Sequence, residues 1–105
     1  MDNAVIIEAK DNVAVAIEPI PAGVRASLCY PDGKQCAVNV CEDIAIYHKF
    51  AVCDIPCGSK IIKYGEHIGE ASRDILTGEH VHVHNVASVR ENLEKEESLR
   101  VSRHF

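Results

Sequence analysis

The apolar residues of this chain come in short runs, rich in β-branched side chains and bounded by Gly, Pro, Asp or Asn. "VIIEA" and "VAVAI" are separated by "KDN", a spacer of hairpin length. "VRASLCY" and "CAVNV" are separated by "PDGK". There proline presets the first central residue and glycine accepts positive φ. "HKFAV", "KIIKY", "GEASRDI" and "HVHVHNV" follow, each closed by turn residues. No helical period of useful length precedes Val86, so the pattern predicts an all-β fold of many short strands. At 105 residues one compact domain is expected. Tryptophan is absent and aromatics are few, which leaves the core to Val, Ile, Ala and Leu.

A short internal repeat sharpens the picture. Ile20 to Gly23 ("IPAG"), Ile55 to Gly58 ("IPCG") and Ile75 to Gly78 ("ILTG") share Ile-x-x-Gly, with Glu18, Asp54 and Asp74 close before them. Each copy reads as a buried Ile ending a strand, a tight turn closed by Gly, and a new strand. The copies are too short and too unevenly spaced for a solenoid. After Val86 the sequence turns highly charged. This places the domain at residues 1–86 and a charged tail, with a short helix at most, at 87–105.

The formal net charge of −5 gives no general attraction for nucleic acid or anionic membranes. No apolar run approaches the ~20 residues of a membrane span. "MDNAVIIEAK" lacks the features of a secretion signal, so a cytoplasmic protein is expected. The five cysteines, Cys29, Cys36, Cys41, Cys53 and Cys57, form no C-x-x-C pair and read as free thiols.

The densest chemistry lies in "GEHVHVHNV", Gly78 to Val86, where His80, His82 and His84 alternate with valine. As one strand, it puts the three imidazoles on one face, with Val81, Val83 and Asn85 on the other. The valines are then expected to be buried, and His82, His84 and His48 to converge on one accessible surface rimmed by Lys49, Lys63 and Tyr64. A row of imidazoles suits a divalent metal, and it equally suits a solvated strand face.

His48 to Val86, "HKFAVCDIPCGSKIIKYGEHIGEASRDILTGEHVHVHNV", resembles the N-terminal SAF-type module of the altronate and galactarate dehydratase family. The matching motifs are His48-Lys49, Asp54-Ile55 with Gly58, Ile62-Lys63-Tyr64-Gly65, Ile68-Gly69 and Gly78 to Asn85. "DNVAVAI", Asp11 to Ile17, resembles the family's opening hairpin, so the likeness covers nearly everything before the tail. The chain departs from the pattern at Tyr47, where the family has a glycine before His-Lys, and Cys53 and Cys57 are also unusual for it.

The resemblance implies a β-clip fold, shared with sialic-acid synthase C-terminal domains and type III antifreeze proteins. It implies a small subunit of a dehydratase that converts sugar acids such as altronate or galactarate to 2-keto-3-deoxy acids beside a large subunit. Sulfolactate sulfo-lyase has a related small subunit. It further implies a divalent metal, typically Fe(2+) with Mn as an alternative, shared with that large chain. Carried onto this sequence, it makes His48, Lys49, His82 and His84 catalytic candidates. Lys63, Tyr64 and Asn85 become substrate-binding candidates, and His82 and His84 metal ligands. Such a chain is expected to be inactive alone, and a homo-oligomer is compatible with it. Two other readings stay open at this point: a stand-alone carbohydrate- or partner-binding module, and a metal-binding structural protein.

Overall fold

The computed structural model describes residues 2–88, and these are all-β, with no helix. The strands are β1 (Ala4–Val5), β2 (Val13–Ala16), β3 (Arg25–Cys29), β4 (Gln35–Asn39), β5 (Lys49–Ala51), β6 (Lys60–Lys63), β7 (Glu66–Ala71), β8 (His80–Val81) and β9 (Val86–Ser88). They form a central sheet ordered β1-β2-β5-β8, a β3-β4 hairpin, and a β6-β7-β9 sheet, with all pairs antiparallel. The boundary expected after Val86 falls inside β9, which pairs with β7. The charged tail from residue 89 lies outside the described residues.

The Ile-x-x-Gly corners organise the chain as the repeat predicts, and a fourth one joins them. Ile20, Ile44, Ile55 and Ile75 are all buried, and they pair as Ile20 with Ile44 and Ile55 with Ile75. Each Ile leads into the same turn: the amides of Val24, His48, Ser59 and Glu79 donate to the carbonyls of Pro21, Ala45, Pro56 and Leu76, each at 3.0 Å. The third residue of each turn has positive φ, namely Gly23 (84°), Tyr47 (68°), Gly58 (87°) and Gly78 (90°). That is the requirement of a type II turn. Ile44 to Tyr47 is thus the copy that its tyrosine conceals.

The acid before each Ile caps the turn of the partner corner. Asp54 Oδ1 accepts from the Thr77 amide at 2.8 Å and Asp74 Oδ1 from the Cys57 amide at 2.8 Å, a reciprocal pair. Asp43 Oδ1 accepts from the Ala22 amide at 2.8 Å, but Pro19 stands where the return cap would be.

The corners sort the core into two clusters. Ile20 and Ile44 pack with Ala14, Ala16, Ala26, Leu28, Val38, Val40 and Phe50; Ile55 and Ile75 pack with Val13, Ala51, Ile61, Ala71 and Val81. β2 and β5 run between them. β2 is buried at every residue, which accounts for the unbroken apolar run "VAVA". Phe50 faces the first cluster and Ala51 the second.

Asp11, in the turn expected from "KDN", is itself buried. Its Oδ2 accepts from the amides of Ile7 (3.1 Å) and Glu8 (3.0 Å), and its Oδ1 from that of Gly65 (2.7 Å). One carboxylate thereby ties the first loop to the tip of the β6–β7 hairpin.

The "HVHVHNV" segment departs from the single strand expected of it. β8 ends at Val81, which is fully buried, while Val83 is 81 % exposed. The cause is Asn85. Its Oδ1 accepts from the His82 amide at 3.0 Å, its Nδ2 donates to the His80 carbonyl at 2.9 Å, and its own amide donates to the His82 carbonyl at 3.1 Å. An asparagine that bonds the local backbone closes a turn, and here that chemistry overrides the period-two pattern.

Candidate functional site

Two corners deliver the histidines. His48 follows the positive-φ residue of its corner and leads into β5; His80 opens β8 after the last corner. β5 and β8 are neighbours, with Lys49 opposite Val81 and Phe50 opposite His80. The Asn85-closed turn then folds His82 and His84 back beside them.

The result is a stack of imidazoles. His48 and His82 rings lie 4.3 Å apart at 20°, and His48 and His80 rings 5.1 Å apart at 15°. His80 is 5.4 Å from His82 and 5.4 Å from His84. His48 Nδ1 and His80 Nε2 are 2.9 Å apart, so one ring donates and the other accepts. The His80 amide donates to Glu42 Oε1 at 2.8 Å, which anchors this residue to the opposite loop.

Burial, then the neighbouring imidazoles His48, His82 and His84, push the His80 pKa below its ordinary value, against the pull of Glu42. His82 is lowered likewise by burial, then by His48, Lys49 and His84. Crowded, half-buried rings cannot all carry charge, and a neutral imidazole is the form that ligates metals. Burial and then Lys63 lower the pKa of Lys49.

Two sets of ligand atoms come within 4.8 Å of one another: His48 with His80 and His82, and Glu42 with His80 and His84. Of the residues singled out in the sequence, His48, Lys49 and His82 meet at one surface. His84 reaches it only through His80, and His82 and His84 fall into different sets. His80, common to both, was the residue that strand geometry left nearest the turn. Its signal was its place two residues after the glycine of the last Ile-x-x-Gly corner, one residue beyond the place that His48 holds in its own corner. Glu42 had no sequence signal.

The remaining candidates do not join the stack. Lys63 and Tyr64 sit at the β6–β7 hairpin tip, with Lys63 Nζ 5.2 Å from the Tyr64 ring centroid. Tyr64 and Gly65 have φ of 54° and 79°, the two left-handed residues of a tight hairpin turn. Asn85 is 2 % exposed, and both ends of its amide are bonded to backbone.

The imidazoles divide two clefts. One, of about 370 Å³, is bounded by Pro19, Ile20, Pro21, Asp43, Ile44 and Ala45 with His48 and His80. The other, of about 230 Å³, is bounded by Lys49, Ile68, His82, Val83 and Val86.

A family model for the altronate/galactarate dehydratase SAF domain matches residues 2–89. The chain is 42% identical over 89 residues to altronate dehydratase of Escherichia coli, covering 85% of this chain and 17% of that protein. It is 39% identical over 85 residues to altronate dehydratase of Bacillus subtilis, covering 81% and 16%. The chain therefore spans about a sixth of the length of these relatives. It is also 36% identical over 88 residues to (2R)-sulfolactate sulfo-lyase subunit alpha of Chromohalobacter salexigens, covering 82% of this chain and 94% of that one. Matched over residues 2–89 and identical to each of these lyases at over a third of the aligned positions, the chain belongs to the altronate/galactarate dehydratase SAF domain family.

Proposed function

We propose that this chain is the small SAF component of a lyase. It acts with a large catalytic chain to remove water from a sugar acid of the altronate or galactarate type, giving a 2-keto-3-deoxy acid in the cytoplasm. The observation that carries this reading is the imidazole stack of His48, His80 and His82 with Lys49 beside it, at the mouth of two open clefts. The near-complete overlap with a sulfo-lyase subunit alpha supports a separate small subunit.

Loss of water next to a carboxylate needs a base, stabilisation of the developing negative charge, and help for the departing hydroxide. Neutral imidazoles provide proton acceptors, and Lys49 a positive charge for a carboxylate. These groups form one wall, and the large chain supplies the rest of the site.

The donor set fits a divalent metal such as Fe(2+) or Mn(2+). His48, His80 and His82 would hold it, their neutral forms being the ligating ones. Bound there, it would act as a Lewis acid on a substrate oxygen. The test is co-purification of the native chain, followed by assay of altronate and galactarate dehydration and sulfolactate cleavage with the recovered partner. A large partner and turnover that falls on His48→Ala support the proposal; a chain recovered alone overturns it.

A further inference from the structure

The two sets of ligand atoms at the imidazole stack differ in exposure and in charge. His48, His80 and His82 are half-buried and hold no acid among them. Glu42 and His84 are exposed, and their ligand atoms come within 4.8 Å of that of His80. Glu42 is the sole acid in either set. Its Oε1 accepts from the His80 amide at 2.8 Å, which fixes the carboxylate at the residue that both sets share. A carboxylate has lone pairs left for an ion after one such bond. The inner set is closed by a hydrogen bond of its own, with His48 Nδ1 and His80 Nε2 2.9 Å apart, and direct entry has to break it. The outer set meets a hydrated ion first. It is open to water, and the charge of Glu42 acts on a cation over roughly 8–10 Å in physiological salt.

We propose that Glu42, His80 and His84 form an outer docking site for a divalent first-row ion, from which His80 passes the ion inward to His48 and His82. This goes beyond the reading above and rests on it for the inner site. A neutral imidazole has one protonated nitrogen and one with a free lone pair, so His80 serves one ion at a time. The two sets are therefore successive stations of one ion. In the transfer Glu42 and His84 release the ion as His48 and His82 take it, and only ligand bonds are exchanged. The inner station is the final one, because three imidazoles suit such an ion better than two and an exposed carboxylate.

The experiment uses the full chain and reads rates of metal exchange, not turnover. Stopped-flow mixing with Co(II), followed by visible absorption, gives the rate of entry, and a chelator chase gives the rate of release. A group that acts only on the path changes both rates by the same factor and leaves the dissociation constant alone. His84→Ala should therefore slow entry and release alike, by about threefold or more, with the affinity of wild type. Glu42→Gln keeps an acceptor for the His80 amide and removes the charge. It should slow entry by a similar factor, and its difference from wild type should shrink as sodium chloride is raised. Unchanged entry in either variant overturns the docking site and leaves the inner site standing. A His84→Ala variant that enters as fast as wild type but binds more weakly overturns it too, since His84 is then a ligand of the final site. A chain that takes up no Co(II) removes the inner and outer sites together.

Discussion

Tyr47 and Gly78 hold the same turn position in the second and fourth corners along the chain, with φ of 68° and 90°. The tyrosine is 72 % exposed, so little packing offsets its left-handed backbone. That conformation costs a residue with a Cβ about 1–2 kcal/mol. Glycine relieves it but adds about 0.5–1 kcal/mol of unfolded-state entropy. Tyr47→Gly should therefore stabilise the domain by about 0.5–1 kcal/mol, visible as a melting temperature raised by a few degrees. A lower melting temperature would mean that the phenol makes contacts worth more than the strain.

Gly78 and Gly58 share a conformation but not surroundings. A Cβ at Gly78 would overlap the Asn39 carbonyl oxygen and lie 3.2 Å from Cys41 Sγ; at Gly58 it would meet nothing within 4 Å. Gly58→Ala should thus cost only the backbone term, about 1 kcal/mol. Gly78→Ala should cost at least about twice that, because the obstruction is backbone and cannot swing away. Denaturant melts of the two variants compare them directly, and equal losses would contradict the close approach.

Much of this was legible in the residues. The turn signals located the strands, and the Ile-x-x-Gly spacing located three corners together with the buried isoleucine of each. The remaining corner, Ile44 to Tyr47, was hidden because a tyrosine fills the glycine place, although Asp43-Ile44 repeats the Asp-Ile of Asp54-Ile55 and Asp74-Ile75. The gathering of His48 with His80 and His82 was legible only as a shared surface. Which imidazoles meet depends on the turn that Asn85 closes, and alternation alone carries no sign of a strand stopping at Val81.

That turn makes an opposed pair of predictions for neighbouring valines. Val81 is fully buried against Ile55 and Ile75, and Val83 is 81 % exposed. Val81→Ala should lose about 2 kcal/mol as a buried large-to-small change. Val83→Ala should stay within about 0.5 kcal/mol of wild type. Urea titration of both distinguishes this fold from one continuous strand, in which the two losses would be alike.

Asp54 links the corners to pH. Hydrogen bonds from the Thr77 amide and hydroxyl, both 2.8 Å, hold its pKa below the ordinary carboxylate value. The folded state thus binds this proton less readily than the unfolded one. The contribution is present above the unfolded value of about 3.9 and is lost as pH falls through the lower folded value. Wild type should therefore lose more stability than Asp54→Asn on acidification through that range. Parallel loss in both, followed by chemical denaturation at several pH values, would remove Asp54 from the acid response.

The imidazole stack makes the sharpest demand. His80 belongs to both sets of ligand atoms, with His48 and His82 on one side and with Glu42 and His84 on the other. Removing it dismantles both. His84→Ala leaves His48, His80 and His82 in place, and His82→Ala leaves the exposed set of Glu42, His80 and His84. Three imidazoles bind a first-row divalent ion more tightly than two imidazoles and an exposed carboxylate, nitrogen donors being the better match across this series. Co(II) titration of the purified chain, read by its visible absorption, should give affinities in the order wild type and His84→Ala, then His82→Ala, then His80→Ala. The sequence alone pairs His82 with His84 and ranks their losses equal. An His84→Ala variant as impaired as His80→Ala, or a wild type that takes up no Co(II), would show that the stack is not a metal site and that its imidazoles serve substrate or partner instead.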